Sequence, residues 1–213
     1  MALFDDKIRQ QLKSVLDQMK NEVTVVYFSQ EIECQTCRDG KRFINEIASL
    51  SDKIVVEHYN LVTDKEKSEL YDVDKVPAIV LLDKDKKNTR MRFYGIPGGY
   101  EINSFLGSLL AASGKEEAIP KPIKDRIDKI NKPVHIQVFI SLGCPHCPNA
   151  VMAGHLLALE NENVTADMVE SSTFNHLAIK YNVSSVPKVV INGTYEFIGA
   201  QPITAYLDAI EKL

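Results

Sequence analysis

A chain of 213 residues, 45% of them apolar, can form one large domain or two of about 100 residues, each with an ordinary core. Its 25 basic and 29 acidic residues give a net charge of -4, which offers no basic footprint for nucleic acid, and no run of like charge suggests a binding tail. The opening Met1-Ala2-Leu3-Phe4-Asp5-Asp6 carries acid where a secretion signal needs base, and no apolar run reaches membrane-spanning length. The expectation is a soluble, unprocessed, cytoplasmic protein with neither nucleic acid nor membrane as partner.

Phe4, Ile8, Leu12, Val15, Leu16 and Met19 keep helical spacing and predict an amphipathic helix over 4–19. Val23 to Phe28 reads as a strand leading into Cys34-Gln35-Thr36-Cys37, after which Phe43, Ile44, Ile47 and Leu50 recur at helical spacing. Strand Ile54 to Tyr59 and helix Lys65 to Tyr71 follow. Ala78 to Leu82 and Arg90 to Tyr94 then form a hairpin, Gly95-Ile96-Pro97-Gly98-Gly99 breaks the chain, and a helix runs from Glu101 to Ala112. Ser113 to Pro122 is polar and proline-bearing, so the boundary is placed there, dividing the chain into units 1–115 and 116–213.

The same order then recurs. A short helix covers 123–130, a strand 134–140, and a second pair, Cys144-Pro145-His146-Cys147, opens a helix continued by Val151 to Leu159. Strand 164–169, helix 174–181, a hairpin turning at Asn192-Gly193 and a closing helix marked by Ile203, Tyr206, Leu207 and Ile210 complete the unit. Cys34 and Cys144 stand 110 positions apart, as do Pro77 and Pro187, each preceded by valine. Repetition at a constant offset points to one device built twice.

Four cysteines in two close pairs suit redox or metal chemistry better than the disulfide framework of a small secreted domain. If Cys144 caps its helix and Pro145 takes the first helical position, the unpaired N–H groups of that turn favour a Cys144 thiolate, and protonated His146 adds to the effect. Cys144 is then the attacking sulfur. Glu31 and Glu33 beside Cys34 oppose a thiolate there, with Arg38 a partial offset, so the second pair is expected to be the more active. A zinc site is the competing reading, with His135, His146 and His155 as further ligand candidates, although His135 and His155 are ordinary strand and helix residues on pattern alone.

A unit ordered helix, strand, Cys-x-x-Cys helix, strand, helix, Val-Pro, hairpin, Gly, helix resembles the thioredoxin fold. Two such units resemble the protein disulfide oxidoreductases, tandem glutaredoxin-like proteins. That resemblance implies an α/β fold of two tandem thioredoxin-like units, each a central mixed sheet flanked by helices. It implies catalysis by Cys144, Cys147, Cys34 and Cys37, and cis prolines at Pro187 and Pro77 that leave Val186 and Val76 to pair with a substrate peptide. His146 and Pro145 are taken to tune the second pair, no metal and no bound cofactor are needed, and the implied partners are protein disulfides, a thioredoxin reductase-like flavoenzyme and peroxiredoxins. Thioredoxins carry an acid six residues before the first cysteine. Phe28 and Val138 stand there, so no buried carboxylate is assigned as proton shuttle. An electron relay dedicated to peroxide reduction is the close rival, since the N-terminal region of the alkyl hydroperoxide reductase flavoprotein also has two such units, with a single cysteine pair. A metal-binding module is the rival from another class.

Overall fold

The computed structural model describes residues 3–115 and 118–213. The first two residues of the expected unprocessed start, and the expected boundary after residue 115, lie outside the described residues. Two compact units form: the first takes Met1–Thr89, Tyr94–Ile96 and Leu109–Glu116, the second Arg90–Phe93, Pro97–Ser108 and Glu117–Leu213.

The first unit is built on β1 (Val23–Ser29), whose continuous apolar run is buried as a central strand requires. It pairs in parallel with β2 (Ile54–Asn60), from Val23↔Ile54 to Ser29↔Asn60, and antiparallel with β3 (Ala78–Leu82), from Thr24↔Leu82 to Phe28↔Ala78. Helices α1 (Asp6–Leu16), α2 (Cys37–Ala48) and α3 (Lys65–Leu70) accompany this mixed sheet. Cys37, Gly40, Phe43, Ile44 and Ile47 form the buried stripe of α2. The first helix starts at Asp6 rather than Phe4 because Asp5 acts as its cap: Asp5 Oδ1 accepts from Ile8 N at 2.8 Å, while Phe4 N is drawn to Glu46 Oε1 at 3.1 Å. Strand β4 (Asn88–Tyr94) follows, then a 3-10 turn at Gly99–Glu101 and α4 (Ile102–Ala112).

In the second unit β5 (Val134–Ile140) is central. It runs parallel to β6 (Val164–Glu170), from Val134↔Val164 to Ile140↔Glu170, and antiparallel to β7 (Lys188–Ile191), from Ile136↔Ile191 to Phe139↔Lys188. The edge is β8 (Tyr195–Ile198), joined to β7 through Asn192 and Gly193, both at positive φ as a tight hairpin demands. Helices α5 (Lys121–Ile127), α6 (Cys147–Glu160), α7 (Asn175–Lys180) and α8 (Ile203–Ile210) flank these strands. Beside β6 lies Arg90–Phe93 of β4, where buried Arg92 donates from Nε to Asp167 Oδ1 at 2.6 Å and His135 Nε2 lies 2.6 Å from Asp167 Oδ2. Burial pushes the Asp167 carboxyl up, but Arg92 and then His135 outweigh it and hold the group below the usual carboxylate range. The α/β fold of two thioredoxin-like units is as expected. Among the described residues no helix is long and apolar enough to cross a membrane.

Candidate active site

In the first unit the chain leaves β1 and reaches Cys37, the first residue of α2, three residues after half-buried Cys34. The two sulfurs are joined, with Cα atoms 5.4 Å apart. Tyr27 of β1 donates its hydroxyl to the Cys37 carbonyl at 2.8 Å, which ties the cysteine turn to the sheet beneath it. Gly40 makes this possible, since a Cβ there would stand 2.3 Å from the Tyr27 hydroxyl. The Val76–Pro77 peptide is cis, and Val76 lies beyond the last paired residue of β3, outside the sheet ladder. Its loop is held by Tyr94, whose hydroxyl donates to Asp72 O at 3.4 Å while the Lys75 amine sits 3.6 Å over the ring centroid.

The second unit repeats the device. Cys144 and Cys147 are joined with Cα atoms 5.5 Å apart, Cys144 being 9% exposed and Cys147 fully buried. Val186–Pro187 is also cis, and the Val186 carbonyl lies 3.8 Å from Cys144 Sγ. Cys144 was expected to cap the helix, with Pro145 in its first position. Instead α6 begins at Cys147, its cap is His146, and Pro148 occupies the first turn. Both prolines tolerate a helix start, but the chain first makes two tight turns, Cys144 N to Ser141 O at 3.0 Å and Cys147 N to Cys144 O at 3.4 Å. The second bond also gives the Cys144 carbonyl a partner that Pro148 cannot supply. His146 and Pro145 are exposed beside the pair.

One residue of this unit was missed by sequence reasoning. Glu101 ends the 3-10 turn and is completely buried. The Ser104 hydroxyl donates to its Oε2, while Oε1 has no hydrogen-bond partner. Burial raises its pKa to about 7, against a smaller opposing effect of Ser104. The turn packs against α6, and Tyr100 N donates to Leu142 O at 3.0 Å, two residues before Cys144. Farther along, Gly107 faces Met152 and Ser108 Oγ lies 2.9 Å from His155 Nδ1. The start of α4 therefore runs alongside α6 from its cysteine end, with Glu101 at that end. Gly99 lets the turn approach: its φ is +55°, and a Cβ would stand 2.3 Å from Leu142 O. The available signal was a Gly-Gly break followed by a carboxylate with serine three residues on.

His155 is buried in α6 with its ring against Phe93, and burial lowers its pKa to about 4, so it is a neutral core group. Each cysteine is bonded to its near neighbour, and among the described residues no group of three or more His, Cys, Asp or Glu comes together as a metal would need.

A thioredoxin domain profile matches residues 134–212. Over 191 residues the chain is 28% identical to an NADH dehydrogenase of Bacillus subtilis, covering 90% of this chain and 35% of the relative. The chain thus spans about a third of the length of the curated relatives it matches. Among solved structures, the NTD_N/C domain of alkylhydroperoxide reductase AhpF from Enterococcus faecalis is 30% identical with a TM-score of 0.90, over 97% of this chain and 99% of that one. A protein disulfide oxidoreductase from Aeropyrum pernix is 28% identical with a TM-score of 0.90, over 99% and 94%.

Proposed function

The chain belongs to the tandem thioredoxin-fold disulfide oxidoreductases, and from that membership we propose that it reduces, forms or isomerises protein disulfides through its two Cys-x-x-Cys centres. The observation that carries this reading is the same arrangement in both units: a closed disulfide at the start of a helix, beside a cis Val-Pro peptide. In reduction the Cys144 thiolate attacks one substrate sulfur and the other leaves as thiolate. Cys147 then attacks Cys144 Sγ and releases the second substrate sulfur, leaving substrate reduced by two electrons and the pair oxidised. Cys147 is fully buried and must lose a proton before it attacks. Glu101 is the acceptor in this scheme: a buried carboxyl titrating near 7 at the cysteine end of α6 takes that proton and returns it to solvent or to a leaving thiolate. Val186 and Val76, ahead of Pro187 and Pro77, offer backbone to an extended substrate. His146 and Pro145 favour the Cys144 thiolate, and the second pair turns over faster than Cys34 and Cys37. The proposed setting is the cytoplasm, in cell redox homeostasis.

A second reading is favoured by the likeness to the AhpF domain. In it the pairs relay electrons from a flavoenzyme to a peroxiredoxin. The deciding experiment equilibrates the protein in defined thiol–disulfide buffers, traps it by alkylation and counts modified cysteines peptide by peptide. Two reversible transitions within the thioredoxin-fold range, roughly -270 to -120 mV, are expected. Pairs that never oxidise, or react only after chelation, would overturn the proposal. Supplying a flavoenzyme and a peroxiredoxin then separates dedicated relay from general exchange: turnover of peroxide without turnover of protein disulfides favours the relay.

A further inference from the structure

Lys188 follows the cis Pro187 directly and opens β7, yet it is only 3% exposed. Its Nζ donates to Tyr181 O at 2.6 Å and to Asn182 O at 3.4 Å, and pairs with Glu196 Oε2 at 2.9 Å. Burying an ammonium is costly, so three acceptors gathered on it form a strong local tie. Tyr181 caps the end of α7, and Asn182, in the left-handed region at φ +49°, starts the loop that ends at Val186 and Pro187. One residue therefore holds both ends of that loop, by its backbone at Pro187 and by its side chain at Tyr181 and Asn182. The first unit has Ala78 at the matching position, and there Tyr94 ties the loop, through its hydroxyl to Asp72 O at 3.4 Å and through the Lys75 amine over its ring.

We propose that Lys188 is the positioning residue for polypeptide docking at the second unit. It fixes the backbone of Val186 so that an extended polypeptide disulfide meets a prepared edge, whereas a small disulfide, which needs only Cys144, is indifferent to it. This rests on the oxidoreductase reading above. It assigns the second unit to disulfides carried in extended polypeptide and separates peptide docking from sulfur chemistry.

The test uses the full chain with Cys34→Ser and Cys37→Ser, so that only the second pair reacts, and two substrates, insulin and 5,5′-dithiobis(2-nitrobenzoate). Lys188→Met is expected to raise KM for insulin about tenfold while kcat and the small-disulfide rate stay within about twofold, and Lys188→Arg to recover most of the loss. Glu196→Gln, at the exposed partner on β8, loosens the amine without emptying its site and is expected to raise the same KM about two- to threefold. It also serves where Lys188→Met does not fold. An unchanged KM in the folded variants overturns the proposal, as does an equal loss on both substrates. If the unsubstituted second pair reduces neither substrate, the oxidoreductase reading falls and takes this inference with it. Turnover of both substrates without the KM split removes Lys188 alone.

Discussion

Replacing Glu101 by glutamine keeps the side chain's shape and removes its titration. In the folded protein this carboxyl titrates at about 7, in the unfolded chain near 4.5. Between those values the folded chain keeps a proton that the unfolded chain has lost. The group's contribution is therefore fully present below pH 4.5 and declines as pH rises to about 7, beyond which about 3 kcal/mol has been lost. Glu101→Gln should flatten that slope. Urea unfolding of the oxidised full chain at pH 5, 6, 7 and 8, followed by circular dichroism, should show the variant gaining about 2–3 kcal/mol on the parent across the series. In the same variant, exchange at Cys144 and Cys147 should slow about a hundredfold with exchange at Cys34 and Cys37 unchanged. Parallel pH slopes for the two proteins would refute the raised titration, and an undiminished rate at the second pair would refute the proton-transfer role.

Two other perturbations have definite expectations. Tyr27→Phe deletes the hydroxyl bonded to the Cys37 carbonyl and should cost about 1 kcal/mol of first-unit stability by urea unfolding, with the second pair's exchange rate unaltered; no loss of stability would discount that tie. His155, held neutral by burial with a pKa lowered to about 4, refuses a proton that the unfolded chain accepts from about 6.5 downward. Its contribution is present above pH 6.5 and lost as pH falls through 4, on the order of 3 kcal/mol, so His155→Gln should unfold with a shallower dependence between pH 6.5 and 4, and equal dependences would contradict the assignment.

The cysteine pairs, the Val-Pro peptides and the order of elements along the chain were legible because they depend on local chemistry repeated at one offset. The start of α6 was not, because Pro145 and Pro148 both suit a first helical turn and only the packed turn at Ser141 to Cys147 selects between them. Glu101 opens the expected helix from Glu101 to Ala112, and nothing in that pattern marks it as buried. Its burial depends on which elements β4 and the 3-10 turn pack against, and helical periodicity carries no information about that. Lys188 stands just before the apolar run Val189 to Ile191, and its burial is invisible in that pattern because the carbonyls that satisfy it come from the end of α7, six and seven residues earlier.

The halves of the sequence are not interchangeable parts. Arg90–Phe93 and Pro97–Ser108 precede the second cysteine pair by dozens of residues, yet they belong to the compact unit that contains it. A fragment starting at residue 118 would keep Cys144, Cys147 and the Val186–Pro187 peptide but lack Arg92, Glu101 and Ser108. Asp167 would be left without its guanidinium, a loss that for buried pairs runs to about 3–5 kcal/mol. Any cut that isolates the second centre must therefore carry the strand and turn that precede it. Protein engineers grafting this redox centre elsewhere face the same cut point.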